Sequence, residues 1–415
     1  MNTPFYSISP AIEKAAEKAM TMCRPYLERT DEITEYNQQK MLRAFQDARV
    51  SESYFAASTG YGYGDRGRDA LDEIFAQVLD TEDALVRHNF ASGTHTLTVA
   101  LFGVLRPGDT MISVTGTPYD TLQGVIGMNG DSCGSLKEFG INYEQIDLLP
   151  DGTVDMETMK KRITPSTRMV YIQRSRGYSL RPTLRAKELR QIADLAHSLA
   201  PDCIVMLDNC YGEFVEMQAP GSLGIDLMAG SLIKNPGGGI APTGGYIAGK
   251  KALVEACSYR LTTPGTGREI GCTLGNNREL FMGAFNAPHV TGEAVKTAIF
   301  AAALYELLGF EVTPRYDEER GDIIQAILLQ NEDRLIRFCR GIQQASPIDS
   351  FVTPEPWDMP GYDSKVIMAA GAFTLGSSIE LSADAPLREP FAVWMQGSLN
   401  FHTGRLAAML AVPEK

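Results

Sequence analysis

The stretch that decides the fold is residues 169–210, MVYIQRSRGYSLRPTLRAKELRQIADLAHSLAPDCIVMLDNC. The apolar run at 169–175 predicts a buried strand, and so does the run at 203–210. Between them, residues 184–200 space their apolar side chains at three- and four-residue intervals, which predicts a helix. A strand, a covering helix and a second strand form the repeating unit of a parallel sheet, so this stretch predicts an α/β protein.

The same alternation extends in both directions from this unit. Helical patterns begin at ASGTHTLTVALFGVL and at PYDTLQGVIG. Short apolar runs predict further strands at 84–90, 109–116, 231–235 and 244–250. We therefore expect one central sheet that is mostly parallel and carries helices on both faces.

Three regions are predicted along the chain. An N-terminal helical segment occupies 1–57, with one long helix at 11–48, and a large domain with the central sheet occupies 58–285. A smaller α+β domain occupies 286–415. In this domain, helices are predicted at 294–310, 322–344 and 400–411, and strands at 350–356, 365–373 and 378–384.

Composition and charge exclude several classes of function. The 415 residues include 38 basic and 51 acidic side chains, and the net charge of −13 argues against nucleic acid and anionic membranes as partners. Seven cysteines without CxxC and five histidines without HExxH predict reduced thiols, no metal site and a cytoplasmic protein. Because charges interrupt the N-terminal apolar stretches, we expect no signal peptide. The best candidate for a membrane-spanning segment, 294–310, contains Lys296 and Glu306 and is too short, so we expect none.

Candidate ligand-binding residues follow the first two predicted strands. Ser92, Gly93 and Thr94 open a helix, where backbone N–H groups and the helix dipole suit a phosphate. The alternative is an ordinary helix cap made by Ser92 or Thr94. Tyr119 follows the next strand, where its ring can stack on a planar ligand or pack against its own loop.

Two ionisable residues follow later strands. Asp208 comes directly after the apolar run 204–207, so its carboxylate needs a partner. That partner is the protonated ring nitrogen of a ligand, a protein donor, or the N-terminus of a helix. Lys234 follows a short buried run, where burial lowers the pKa of a lysine and makes its amine nucleophilic. A solvated loop lysine is the alternative.

The order of these residues resembles the layout of fold-type I pyridoxal-phosphate (PLP) enzymes, which have a small-residue loop, an aromatic residue, an aspartate and then a lysine. Longer strings are similar to the bacterial methionine gamma-lyase family, also labelled aluminium-resistance proteins, over about residues 55–410. These strings are STGYGYGD, ASGTHTL, QRSRGYSLRPTL, LDNCYGEFVE and AGSLIKNPGGGIAPTGGY. The resemblance implies the fold-type I fold, PLP as cofactor, and a carbon–sulfur lyase that acts on a sulfur-containing amino acid.

The resemblance also implies a role for each candidate residue. Lys234 carries the cofactor and moves protons, Asp208 pairs with the ring nitrogen, and Tyr119 stacks on the ring and acts as a general acid. The implied phosphate ligands are Ser92, Gly93, Thr94 and Ser231. The family commonly has a threonine directly before the lysine, whereas Ile233 stands here. Arg176 is a candidate to replace the missing hydroxyl, and a surface salt bridge is its alternative role.

The remaining implied sites involve other subunits and the substrate. In related enzymes a Tyr-x-Arg sequence from the neighbouring subunit reaches the phosphate; here Tyr61 and Tyr63 occupy that region, with Arg66 or Arg68. The resemblance therefore implies a homo-oligomer, a dimer or a tetramer built from two dimers. Arg388 is the candidate that binds the substrate carboxylate, and Arg405 is its rival.

Three other functions remain open from the sequence. Transamination or retro-aldol cleavage would use the same cofactor, and a stress-response protein could bind PLP without turnover. The glycine-rich loops could also bind a nucleotide, but neither has the spacing of GxGxxG after a strand or of GxxxxGK[ST].

Overall fold

The computed structural model describes residues 3–130, 133–358 and 364–413. Its α-helices are α1 Pro10–Asp47, α2 Arg66–Val78, α3 Gly93–Val104, α4 Asp120–Ile126, α5 Met156–Arg162, α6 Ala186–Leu199, α7 Lys251–Leu261, α8 Asn277–Leu307, α9 Glu332–Gln344 and α10 Phe401–Leu410. Its strands are β1 Asp83–Arg87, β2 Thr110–Ser113, β3 Asn142–Gln145, β4 Thr167–Gln173, β5 Ile204–Asp208, β6 Leu227–Ser231, β7 Gly245–Gly249, β8 Glu311–Thr313, β9 Ile324–Leu328, β10 Val366–Ala370, β11 Ser382–Pro386 and β12 Ala392–Gln396.

The large sheet has seven strands in the order β1-β7-β6-β5-β4-β2-β3. The pairs from β6 to β3 are parallel, and β7 is antiparallel to both of its neighbours. The predicted, mostly parallel sheet is therefore confirmed. Its parallel strands have their carboxyl ends along one edge, which is where ligands bind in open sheets of this kind.

Both faces of the large sheet are covered by helices, as expected. Along β5, Val205 and Leu207 point into one core, which they share with side chains of α2, α6 and α8. Ile204 and Met206 point into the opposite core, which they share with side chains of α3, α4 and α7. Because alternate residues of a strand face opposite sides, a strand covered on both faces must be continuously apolar, as CIVML is.

The small sheet has five antiparallel strands in the order β10-β11-β12-β9-β8. One of its faces packs against α8, α9 and α10, with Ala383 and Ala385 of β11 and Val393 and Met395 of β12 in the shared core. The other face looks away from this core. That second face forms one wall of the site described below.

Several predicted elements differ from the observed ones. The helix predicted at 322–344 is β9 followed by α9, because the short apolar run 323–329 pairs with β12 instead of continuing the helix. No strand forms at 350–356, and the next residue, Trp357, makes an isolated bridge with Val366. The strand predicted at 231–235 ends at Ser231, so Lys234 lies in the loop that follows it.

The long N-terminal helix matches its prediction to within one residue at each end, whereas α8 begins 17 residues earlier than the sequence pattern indicated. α1 begins at Pro10, where the Ser9 side chain accepts a hydrogen bond from Ile12 N and proline occupies the first turn, a combination typical of helix starts. α8 begins at Asn277, so the predicted domain boundary after residue 285 lies inside this helix. No helix within the described ranges combines the length and the apolar character that crossing a bilayer requires.

Candidate active site

A cavity of about 250 Å³ lies between the carboxyl ends of the large-sheet strands and the outer face of the small sheet. From the large domain, the loops after β2, β4, β5 and β6 contribute to its lining. The predicted residues Gly93, Thr94, Tyr119, Asp208 and Lys234 all line this one cavity. Residues far apart in the sequence meet here because parallel strands end at the same edge.

Lys234 lies three residues beyond the end of β6 and is partly buried. Its Nζ atom is 4.1 Å from the centroid of the Tyr211 ring, over the ring face. Burial by itself would lower the pKa of Lys234, but Cys210, Tyr211 and Asp208 around it raise that pKa well above its ordinary value. The expectation of a lowered pKa is therefore wrong for the protein without a cofactor, because the acidic neighbours favour the ammonium form.

Asp208 is the last residue of β5 and is buried. Its Oδ1 accepts a hydrogen bond of 3.1 Å from the backbone N–H of Cys210. Burial raises the pKa of Asp208, and the positive charge of Lys234 opposes that rise. A buried carboxylate at this position is stabilised by a cation, either Lys234 or a protonated group of a ligand.

The N-terminus of α3 and the end of β6 form a small polar recess. Ser92 caps α3, because its Oγ accepts a 3.0 Å hydrogen bond from His95 N, so its side chain has the capping role that was the alternative. Gly93 lies against Ser231, and a Cβ on Gly93 would be 3.4 Å from Ser231 Cβ. Ser231 Oγ is buried and has no hydrogen-bond partner among the described residues. A hydroxyl without a partner beside free helical N–H groups fits a phosphate.

Tyr119 stands between β2 and α4 at the edge of the cavity. Its backbone N–H donates a 2.8 Å hydrogen bond to Gln173 Oε1, which fixes the loop against β4. Its ring centroid is 6.1 Å from that of Tyr178, at an angle of 52°. The side chain therefore borders the space in which a planar ligand would stack.

The structure does not bring the predicted arginines to the cavity. Arg388 is exposed on the turn after β11, and Arg405 lies on α10 with its guanidinium over the Phe401 ring. Arg176 is buried and donates a 2.7 Å hydrogen bond to Thr313 O, so it joins two parts of the chain and does not replace the missing threonine. All arginines of the chain lie within the described ranges, and none lines this cavity.

The glycine-rich loop before α2 also lies outside the cavity. Tyr61 and Tyr63 stack on each other at 5.5 Å and remain 69% and 66% exposed. Arg68 is buried and donates hydrogen bonds to Gly62 O and Gly271 O, so it holds the loop in place. Arg66 instead donates to the Tyr54 hydroxyl. Two exposed aromatic rings on a loop fixed in this way form a small apolar surface that a second subunit could cover.

Sequence reasoning missed the part of the site that the small sheet supplies. Tyr178, Asp384 and Gln396 line the cavity and are joined by hydrogen bonds. They lie on three separate segments and belong to no local motif. The only available signal was the alternation in 378–384, which places Ser382 and Asp384 on the same face of a strand.

Comparisons with known proteins agree with this architecture. The profile of the family described as methionine gamma-lyase matches residues 12–415. The chain belongs to the methionine gamma-lyase family. A carbon–sulfur lyase involved in aluminium resistance from Clostridium novyi NT is 52% identical, with a TM-score of 0.94 over 98% of this chain and 96% of that one.

Two further relatives show how far the likeness extends. The Bacillus subtilis (strain 168) protein YnbB, described as uncharacterized, is 48% identical over 383 residues, 92% of this chain and 91% of YnbB. The apo methionine gamma lyase of Micromonospora echinospora is 16% identical, with a TM-score of 0.55 over 84% of this chain and 86% of that one. This distant member shares the fold only, so the expected fold-type I architecture is confirmed.

Proposed function

We propose that this methionine gamma-lyase family protein is a PLP-dependent lyase that cleaves a carbon–sulfur bond of a sulfur-containing L-amino acid. The observation that carries the proposal is the meeting of Lys234 and Asp208 in one cavity, beside the unpartnered Ser231 hydroxyl and the N-terminus of α3. An amine, a buried carboxylate and a helix N-terminus beside an unpartnered hydroxyl supply the three kinds of group that holding PLP requires.

The described residues can hold the cofactor at both ends. Backbone N–H groups at Gly93 and Thr94, with the Ser231 hydroxyl, suit the phosphate, and the Asp208 carboxylate suits the ring nitrogen. Tyr119 and Tyr211 offer aromatic faces within the same cavity. When bound, PLP supplies an electron sink for the negative charge left at the substrate Cα.

The protein side chains then control where protons go. Lys234 would hold the cofactor through its amine, and its Nζ would remove the proton from the substrate Cα, because it is the lysine that lines the cavity within the described residues. Asp208 keeps a proton on the ring nitrogen of the cofactor, since a buried carboxylate favours a cationic partner. Tyr119 Oη donates a proton to the sulfur that leaves. Hydrolysis then gives a 2-oxo acid, ammonia and a thiol.

A panel of sulfur amino acids tests this function. Purified, PLP-loaded protein is incubated with L-methionine, L-cystathionine, L-cysteine and S-alkyl-L-cysteines, and both thiol and 2-oxo acid release are measured. We expect equal amounts of the two products from at least one substrate. Release of neither product, or conversion of an added 2-oxo acid into an amino acid, would contradict carbon–sulfur lyase activity.

We also propose that the active form is a homo-oligomer. Tyr61 and Tyr63 are exposed in one chain, and the phosphate recess has few side-chain donors, so the loop of one subunit is well suited to complete the site of another. Mixing Lys234→Ala subunits with Tyr61→Phe/Tyr63→Phe subunits should restore about a quarter of the sites, because half of randomly formed dimers are mixed and each has one intact site. Mixed dimers that form but remain inactive would show that each subunit builds its own site.

Arg388 remains the sequence-based candidate for the carboxylate clamp, and its exposure allows a direct test. If Arg388 contacted the substrate carboxylate, Arg388→Ala would raise KM by about 10- to 100-fold. Because Arg388 is exposed and does not line the cavity, we expect a change of less than about threefold. Steady-state kinetics on Arg388→Ala and on the rival Arg405→Ala decide between these outcomes.

A further inference from the structure

The outer face of the small sheet is apolar except for a few polar side chains that point into the cavity. Met368 of β10, Ile324 of β9 and Trp394 of β12 supply the apolar part of this wall. Asp384 lies opposite both Met368 and Trp394 in the strand register, near the centre of the wall. Such a position would normally be occupied by an apolar residue, because burying a carboxylate is costly.

Asp384 is 5% exposed and makes a well-defined set of contacts. The Tyr178 hydroxyl donates a 3.0 Å hydrogen bond to Asp384 Oδ2, and Gln396 Nε2 donates one of 3.1 Å to the same oxygen. No described residue hydrogen-bonds to the other oxygen, Oδ1. The carboxylate is therefore held in one orientation with one oxygen left to accept a hydrogen bond from a ligand.

Asp384 also lacks a cationic partner, which three other buried carboxylates of this chain have. Asp72 lies 2.7 Å from Arg87, Asp226 lies 2.7 Å from Lys250, and Glu293 lies 2.5 Å from Lys296. Within the described residues, Asp384 forms no salt bridge. Among the described residues, Asp65, Asp208, Glu213, Asp322 and Glu380 are also buried without a salt bridge, but of these only Asp208 lines the cavity, and the charge of Lys234 favours its charged form. Because Asp384 faces the cavity with one oxygen that has no described hydrogen-bond partner, its position points to a cation that arrives with the ligand.

We propose that Asp384, oriented by Tyr178 and Gln396, selects substrates whose departing thiol fragment carries a second, positively charged amino group. This inference rests on the proposed carbon–sulfur lyase function and specifies its substrate class. Lys234 and Asp384 line the same cavity, so the reacting carbon lies near one wall and the distal ammonium near the other. Asp384 is thereby a specificity-determining residue and takes no part in moving protons.

The protonation of Asp384 gives the selection a pH dependence. Burial raises the pKa of Asp384 to about 6, against the lowering effect of the hydrogen bonds from Tyr178 and Gln396. The other titratable groups near it are Tyr211 and Cys339, whose own pKa values lie above neutral because of burial. The carboxylate is charged above pH 6, so the preference for a cationic substrate should be present at neutral pH and weaken as the pH falls through about 6.

A matched pair of substrates isolates the charge. S-(2-Aminoethyl)-L-cysteine and S-propyl-L-cysteine differ only in a terminal ammonium against a methyl group; if elimination occurs at Cγ, the corresponding homocysteine pair is used. We expect kcat/KM to be about 10- to 100-fold higher for the aminoethyl substrate, the range for a buried hydrogen bond between charged groups. In Asp384→Asn, which retains an oxygen acceptor for Tyr178 and Gln396, this ratio should fall to within about threefold of unity.

The change in activity of Asp384→Asn on each of the two substrates distinguishes substrate selection from a structural role. Asp384→Asn should lose activity on the aminoethyl substrate and keep activity on the propyl substrate within about threefold. Equal loss on both would show that Asp384 only supports the fold, and a wild-type preference for the propyl substrate would overturn the proposal outright. Thermal unfolding of the variant shows whether it folds, and the wild-type comparison decides the proposal without any variant.

A binding measurement keeps the test independent of turnover. L-Lysine has the shape of S-(2-aminoethyl)-L-cysteine, and L-2-aminoheptanoate has the shape of S-propyl-L-cysteine, but neither has a sulfur to release. Their binding is measured from the change in cofactor absorbance. If the wild type binds lysine more tightly than 2-aminoheptanoate and Asp384→Asn does not, the result would support the cationic subsite even if no sulfur amino acid is cleaved. In that case the proposed lyase function fails and the subsite stands; equal binding of both compounds would contradict the subsite alone.

Discussion

Replacing Lys234 by alanine is expected to abolish turnover, with a loss of at least about a thousandfold in kcat, and to remove the yellow colour of the cofactor-loaded protein. Of the described lysines, Lys234 alone lines the cavity, and its Nζ lies over the Tyr211 ring next to Asp208. In the proposed function its amine both holds the cofactor and moves the Cα proton, so its removal should eliminate two functions at once.

The control for this substitution is a lysine of the same domain that does not face the cavity. Lys251 is exposed at the start of α7, so Lys251→Ala should retain both colour and activity. Borohydride reduction of the wild type, followed by peptide mass spectrometry, should locate the pyridoxyl group on Lys234. Label on Lys250 or Lys251 would contradict the assignment.

The sequence could predict the large domain well because its signals are local. A continuous apolar strand such as 204–207 indicates that both faces of the sheet are covered by helices. The residue that follows this strand then lies at the edge of the sheet where ligands bind. Asp208 and Lys234 could be placed in this way from strand ends alone. The strand before Lys234 was nevertheless predicted four residues too late, at 231–235, because the apolar residues of LIKN lie in a loop and LMAGS forms β6.

The small domain could not be predicted as well, for a physical reason. The run at 323–329 has too few residues to distinguish strand from buried helix by periodicity, and only its pairing with β12 makes it a strand. Asp384 lines the cavity because β10, β11 and β12 pair in a particular register, which depends on contacts distant in the sequence. Arg388 follows the right strand but lies beyond the end that faces the cavity.

The second large effect is expected for Asp208→Asn, which should retain most of the bound cofactor and lose about a hundredfold or more in kcat. The amide has the size of the carboxylate, so the shape of the cavity is kept. It has no charge, however, and cannot keep a proton on the ring nitrogen of the cofactor. In the proposed function the electron sink for the negative charge at Cα is then weakened, while Gly93 and Ser231, the proposed phosphate ligands, are unchanged.

A buried carboxylate of structural importance provides the matched control. Asp72 accepts two hydrogen bonds from Arg87, of 2.7 and 3.0 Å, in a buried pair that lies outside the cavity. Asp72→Asn should lower the melting temperature and leave kcat per folded molecule nearly unchanged, since breaking a buried ion pair costs about 3–5 kcal/mol of stability.

Asp208→Asn should show the opposite pattern, with a small change in stability and a large loss of kcat. The reason is that burial raises the pKa of Asp208 by more than the charge of Lys234 and the hydrogen bonds from Cys210 and Tyr171 lower it, so the charged form gives the fold little net stability. Circular dichroism melting curves and kcat, measured on both variants at one PLP concentration, separate the two patterns. Near-normal turnover by Asp208→Asn would show that this carboxylate serves the fold and has no role at the cofactor ring.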